Sequence, residues 1–152
     1  MIIHLILRAE NLEGNTMAAL HNQLLLNGYT NTPPKDEKLI IEWMTQLVSD
    51  IDMKIIQGPY ASYVTKEGNR GLTAVVMIET SHIALHVWDE DEPGRIQFDL
   101  YTCSDLPLEK VVKNLEDNLG LINYDYLVIE RNEGFVLANG TKFQLAEGRW
   151  SM

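Results

Sequence analysis

Residues 72–88 read Leu72-Thr73-Ala74-Val75-Val76-Met77-Ile78-Glu79-Thr80-Ser81-His82-Ile83-Ala84-Leu85-His86-Val87-Trp88. Two runs rich in β-branched and aliphatic residues, 72–79 and 82–88, are separated only by Thr80-Ser81, a spacing that predicts a tight β-hairpin. Along the second run, alternation places His82, Ala84, His86 and Trp88 on one face and Ile83, Leu85 and Val87 on the other. One face is aliphatic, as a core-facing surface requires, and the other carries two imidazoles and an indole. Two-residue hairpin turns favour Asn-Gly and other glycine-containing pairs because their central residues need positive φ. Thr80-Ser81 supplies a β-branched residue and a hydroxyl instead, so strain or a wider turn is expected there. A hydroxyl beside a bent peptide is also what an N→O acyl shift needs, with the serine oxygen attacking the carbonyl before it.

Downstream of the hairpin, Pro93-Gly94 marks a loop before a third strand, 95–103, in which Asp99, Tyr101 and Cys103 share a face. Asp105 is then read as the cap of a helix, with Pro107 in its first turn and Leu108, Val111, Val112, Leu115 and Leu119 along one side. A strand at 124–131 follows, and Asn139-Gly140 suggests a further hairpin in the tail, 133–152. Upstream, Ile40, Trp43, Met44, Leu47 and Val48 recur at helical spacing and predict a helix over 36–50. Extended segments at 53–57 and 60–65 and a loop at Gly68-Asn69-Arg70-Gly71 lead into the hairpin. Nearer the start, 2–8 reads as a buried strand. Thr16 reads as the cap of a helix to about Asn27, with Leu20, Leu24 and Leu25 on one side and Gly28 closing it. This order predicts an α+β two-layer sandwich: a mainly antiparallel sheet with helices on one face. The other face needs a cover, which a second subunit would supply.

At 152 residues and 45% hydrophobic content the chain suits a single domain, 1–152, with a substantial core. Its net charge of −10 would repel a phosphate backbone or an anionic membrane, so neither nucleic acid nor membrane is expected as a partner. There is no 18-residue apolar run, and Met1-Ile2-Ile3-His4-Leu5 lacks a basic flank, so a soluble, cytoplasmic protein is expected. The single cysteine, Cys103, agrees with a reducing compartment and leaves one thiol free for chemistry. No metal is expected: His82 and His86 stand roughly 13 Å apart on a strand, too far to share an ion. Taken alone, a strand histidine, tryptophan or lone cysteine is more often structural than catalytic.

Residues 71–105, with Glu79-Thr80-Ser81-His82, His86, Trp88 and then Asp99-Leu100-Tyr101-Thr102-Cys103, resemble the core of small prokaryotic pyruvoyl-dependent S-adenosylmethionine decarboxylase proenzymes. The similarity spans roughly 37–132, and His4-Leu5 is similar to the family's opening strand. The resemblance implies that Ser81 attacks the Thr80 carbonyl. The chain would divide into a β chain, 1–80, and an α chain, 81–152, beginning with a pyruvoyl cofactor made from Ser81. It implies a homodimer that acts on S-adenosylmethionine and supplies aminopropyl groups for polyamine (spermidine) synthesis. By position, His86 corresponds to the processing histidine, Thr73 to a hydroxyl residue that assists it, and Cys103 to the thiol that reprotonates the substrate carbon. His82, beside the serine in the motif, belongs to the same catalytic group. Glu90 would bind a ribose hydroxyl or the sulfonium, and Trp88 would help form the pocket. Tyr63 or Tyr60 would replace an adenine-contacting aromatic whose own position falls near Glu67. The family carries Glu immediately before the serine, where this chain has Thr80. Two other readings stand beside the first. One is the same chemistry on ornithine or arginine; the other is an unprocessed homologue that binds a ligand or protein without catalysis.

Overall fold

The computed structural model describes residues 20–140. Its elements run β1 (Asn22–Thr30), α1 (Glu37–Asp50), β2 (Ile55–Val64), β3 (Gly71–Ile78), β4 (Ser81–Trp88), β5 (Gly94–Thr102), α2 (Leu108–Leu119), β6 (Leu121–Glu130) and β7 (Val136–Gly140). The strands form one antiparallel sheet in the order β2-β3-β4-β5-β1-β6-β7, the α+β architecture the sequence predicts.

Both helices lie on one face. Ile40, Met44, Leu47 and Val48 of α1 and Val111, Leu115 and Leu119 of α2 are buried with Leu72, Val76, Ile83, Leu85, Phe98 and Leu100 of the sheet. Asp36 caps α1 by accepting from the Lys38 and Leu39 amides at 2.9 and 3.0 Å. The Trp43 indole N–H donates to Asn114 Oδ1 at 2.9 Å and ties α1 to α2. Among the described residues no helix covers the other face, where Tyr60, Val75 and Met77 are 57, 40 and 46% exposed. Among the described residues no helix is long and apolar enough to cross a membrane.

The segment expected to be helical up to Asn27 is instead β1, the strand between β5 and β6. Leu24 and Leu26 are buried while Leu25 and Tyr29 are exposed, a two-residue period that pairing on both sides enforces over weak helical propensity. A Cβ on Gly28 would stand 2.8 Å from Leu121 Cδ2, so the glycine serves close packing and is no helix stop. The rest of that expected helix, the strand at 2–8 and the His4-Leu5 match lie outside the described residues.

Three smaller expectations are also corrected. β3 and β4 pair from Gly71↔Trp88 to Ile78↔Ser81, so the hairpin turn is Glu79-Thr80, one residue earlier than expected. Asp105 is not the cap of α2: Pro107 holds that position, two residues later, and no side chain caps the helix. Asn139 and Gly140 pair with Val128 and Leu127 inside β7, so no turn forms there. The expected extended segments at 53–57 and 60–65 merge into β2, whose pairing with β3 is irregular between Gln57 and Tyr60.

Candidate active site

The Glu79-Thr80 turn is pinned from two neighbouring segments. The Glu79 amide donates to the Lys54 carbonyl at 2.9 Å, and the Thr80 hydroxyl lies 3.6 Å from Met53 Sδ. On the other side, the Cys103 amide donates to the Thr80 carbonyl at 2.8 Å. Ser81, the next residue, stands at φ +143°, in a region that L side chains rarely adopt. The expected strain is therefore present, and it falls on the serine rather than on the two turn residues. The carbonyl preceding Ser81 is polarised by the donor on Cys103, and Ser81, Thr80 and Cys103 meet at one end of the sheet.

Around them the open face is polar. His82 stands opposite Tyr101, with the two rings 5.9 Å apart, and His82 Nε2 is 3.6 Å from Asp99 Oδ2. Asp99 also accepts from Gln23 Nε2 at 2.9 Å, and Arg131 Nη1 donates to Gln23 Oε1 at the same distance. The Arg131 guanidinium lies 4.6 Å from the centre of the Tyr101 ring, and the Tyr101 hydroxyl is 2.7 Å from His21 Nδ1. His21 and Gln23 went unrecognised in the sequence because 16–27 reads as a helix, and Arg131, at the end of the strand read at 124–131, had no partner marked in the sequence. The alternation of Leu24, Leu26 and Gly28 was the signal that could have placed them on a strand.

Thr73 and His86 form a second group. They face each other across β3 and β4, with Thr73 Oγ1 at 3.1 Å from His86 Nδ1. Five residues of extended chain separate His86 from Ser81, roughly 16 Å at the usual rise, so one chain does not bring this pair to the serine.

Trp88, Glu90 and Tyr63 lie further along, at the opposite end of the hairpin. The Trp88 indole donates to Asn69 Oδ1 at 3.1 Å, and Arg95 stacks on its ring at 4.6 Å. Glu90 accepts from the Gly68 and Arg70 amides at 2.8 and 3.3 Å and closes the β2–β3 loop. The Tyr63 hydroxyl donates to Asp89 at 2.7 Å, where Arg70 Nε and Lys35 Nζ also reach the carboxylate at 2.6 and 3.2 Å. Burial alone would raise the Asp89 pKa. Hydrogen bonds from Arg70, Tyr63 and Lys35 outweigh it and hold the carboxyl down at about 2. The same carboxylate pushes the Tyr63 phenol up.

Fold and site define a two-layer α+β protein with His82, Tyr101, Thr73 and His86 on the open face of an antiparallel sheet. The chain belongs to the S-adenosylmethionine decarboxylase family, whose model matches residues 22–132. Among its relatives are S-adenosylmethionine decarboxylase proenzymes of Clostridium botulinum strains Langeland and Okra. Each is 33% identical over 86 residues, covering 56% of this chain and 69% of the relative. The proenzyme of strain Loch Maree is 31% identical over the same length.

Proposed function

We propose that this chain is a self-cleaving proenzyme, cut between Thr80 and Ser81, whose mature form decarboxylates S-adenosylmethionine for polyamine synthesis. The observation that carries the reading is Ser81 at φ +143° beside a carbonyl that accepts the Cys103 amide at 2.8 Å. Attack of the Ser81 hydroxyl on the Thr80 carbonyl carbon exchanges the amide for an ester, and strain of about 1 to 3 kcal/mol is relieved as the peptide opens. The Cys103 amide is placed to stabilise charge growing on that oxygen, as an oxyanion donor does. Removal of the Ser81 α proton then expels the Thr80 carboxylate, and water displaces ammonia at position 81. A pyruvoyl group fits there, because a serine supplies its atoms and an imidazole and a thiol flank it. It supplies a carbonyl that condenses with an amine and draws electrons from the bond to CO₂.

The single domain 1–152 thereby becomes a β chain, 1–80, and an α chain, 81–152. Eight paired positions between β3 and β4 keep the two together after the cut. The base for the α proton is the partner's His86, oriented by the partner's Thr73, in a homodimer that packs the open sheet faces together. Two features support this. His86 and Ser81 of one chain are too far apart to react, and Tyr60, Val75 and Met77 lie exposed on that face. Glu90 and Trp88, on the same strand end as His86, then approach the substrate from the partner and serve its ribose and sulfonium. Tyr63 packs against the helix-side core and donates to Asp89, so the adenine falls to Tyr60, the alternative aromatic, which is exposed on the open face. His82 stays beside the cofactor in its own chain. A cytoplasmic setting keeps the one thiol reduced.

Cys103 returns the proton to the substrate carbon. Cys103→Ala is expected to cleave as the parent does but to release CO₂ from labelled S-adenosylmethionine about a hundredfold more slowly. Unchanged turnover in that variant removes the thiol's role. Greater release from labelled ornithine or arginine than from S-adenosylmethionine reassigns the substrate.

A further inference from the structure

We propose that His21 is a positioning residue for the decarboxylation, holding the protonation state of Cys103 through an imidazole–thiol pair across β1 and β5. The proposal rests on the proton-donating role assigned to Cys103 above.

The pairing follows from register and from where the backbone groups point. β1 and β5 pair Gln23↔Tyr101 and Asn22↔Thr102, so one further step sets His21 opposite Cys103. The Cys103 amide is turned away, towards the Thr80 carbonyl on the β4 side. The His21 amide and carbonyl are turned the opposite way, to Asn132 Oδ1 at 2.8 Å and the Arg131 amide at 2.7 Å. Neither residue spends a backbone bond on the other. In antiparallel sheets such non-hydrogen-bonded pairs bring the Cα atoms to about 4.5 Å and the side chains closest together. Alternation puts both side chains on the open face, with Tyr101 and Gln23.

His21 is fixed far more firmly than a residue just ahead of a strand requires. Both backbone groups are bonded, Nδ1 is 2.7 Å from the Tyr101 hydroxyl, and its ring stacks on Tyr101 at 6.1 Å. The Tyr101 bond occupies Nδ1 and leaves Nε2 without a hydrogen bond among the described residues. The groups facing this imidazole are Tyr101 and Cys103 from β5 and its end, and Arg131 and Asn132 after β6. A thiol that gives its proton to substrate must be recharged each turnover, and an oriented imidazole at one strand spacing can return that proton.

Cys103 is the chain's one cysteine, so alkylation by iodoacetamide reads it without ambiguity. The rate is followed by intact mass from about pH 5 to about pH 10 on a Ser81→Ala background, which stays one chain. With His21 present, the rate is expected to rise through a midpoint about one pH unit or more below that of His21→Gln, because an imidazolium opposite favours the thiolate. Gln retains a polar partner for Tyr101 but cannot titrate. Superimposed curves overturn the proposal. Should His21→Gln fail to fold, Tyr101→Phe decides, since losing the orienting hydroxyl must also move the midpoint. In processed enzyme, His21→Gln should displace the pH profile of CO₂ release with KM unchanged, and an undisplaced profile also overturns it. The alkylation arm is read on uncut protein. A wild-type chain that never cleaves therefore sinks the decarboxylase reading on its own evidence, while the paired midpoints still report whether His21 governs the thiol.

Discussion

Ser81→Ala is expected to persist as one 152-residue chain and to release no CO₂ from S-adenosylmethionine, a complete loss rather than a slowing. No other hydroxyl can replace it, because the attacking oxygen must belong to the residue that follows the Thr80 carbonyl. The Cys103 amide would still hold that carbonyl at 2.8 Å, so the variant isolates the nucleophile from its electrostatic support. Alanine relieves none of the constraint at φ +143°, and the fold should survive because Ser81 lies at the start of β4 outside the apolar core. His86→Ala should also stay uncut. Mixed with Ser81→Ala in one dimer, it should cleave, since the Ser81→Ala protomer lends its His86 to the intact serine of the other. Absence of cleavage in the mixture, with dimers confirmed by light scattering, would contradict the exchange of residues between protomers.

Asp89→Asn is expected to lower the unfolding free energy by about 2 to 3 kcal/mol at neutral pH, read as a fall in the urea midpoint. The Asp89 side chain is fully buried, while Arg70 and Lys35 keep 41 and 58% exposure and can rehydrate once the carboxylate is gone. That moderates a loss that two buried cations would make larger. The pH dependence has a defined sign. The folded pKa, about 2, lies below the ordinary aspartate value of 3.8, so the contribution is complete above about pH 4 and is lost as pH falls towards 2. The difference between wild type and Asp89→Asn should therefore narrow over that interval. A constant difference would mean that packing rather than charge accounts for it. The cluster also fixes the end of β4 that carries His86 and Trp88, so the same variant should cleave more slowly.

What the sequence revealed and what it hid follow one physical division. Helix α1 and strands β3, β4 and β5 were legible because one buried face leaves an unbroken periodicity, as in Ile40, Met44, Leu47 and Val48 or Ile83, Leu85 and Val87. β1 was hidden. Its Leu24, Leu25 and Leu26 blur the alternation, and its identity depends on two strands more than 60 residues away. With β1 went His21 and Gln23, whose place could have been read only from the faint alternation of Leu24, Leu26 and Gly28. Ser81 could be singled out because a hydroxyl stood where a turn wants glycine, although the turn itself lies one residue earlier. The Cys103 amide and the Asp89 cluster were beyond reach. The first is a backbone contact, and the second joins Lys35, Tyr63, Arg70 and Asp89 from four separate segments.

The central claim is that the Thr80–Ser81 bond breaks without any other protein. Denaturing mass spectrometry of the purified wild-type chain during incubation tests it most directly. The expected spectrum shows two fragments, residues 1–80 and residues 81–152, the second blocked to amino-terminal sequencing by its pyruvoyl group. A chain that keeps its full-length mass after prolonged incubation, under conditions where it is folded and dimeric, would contradict the account.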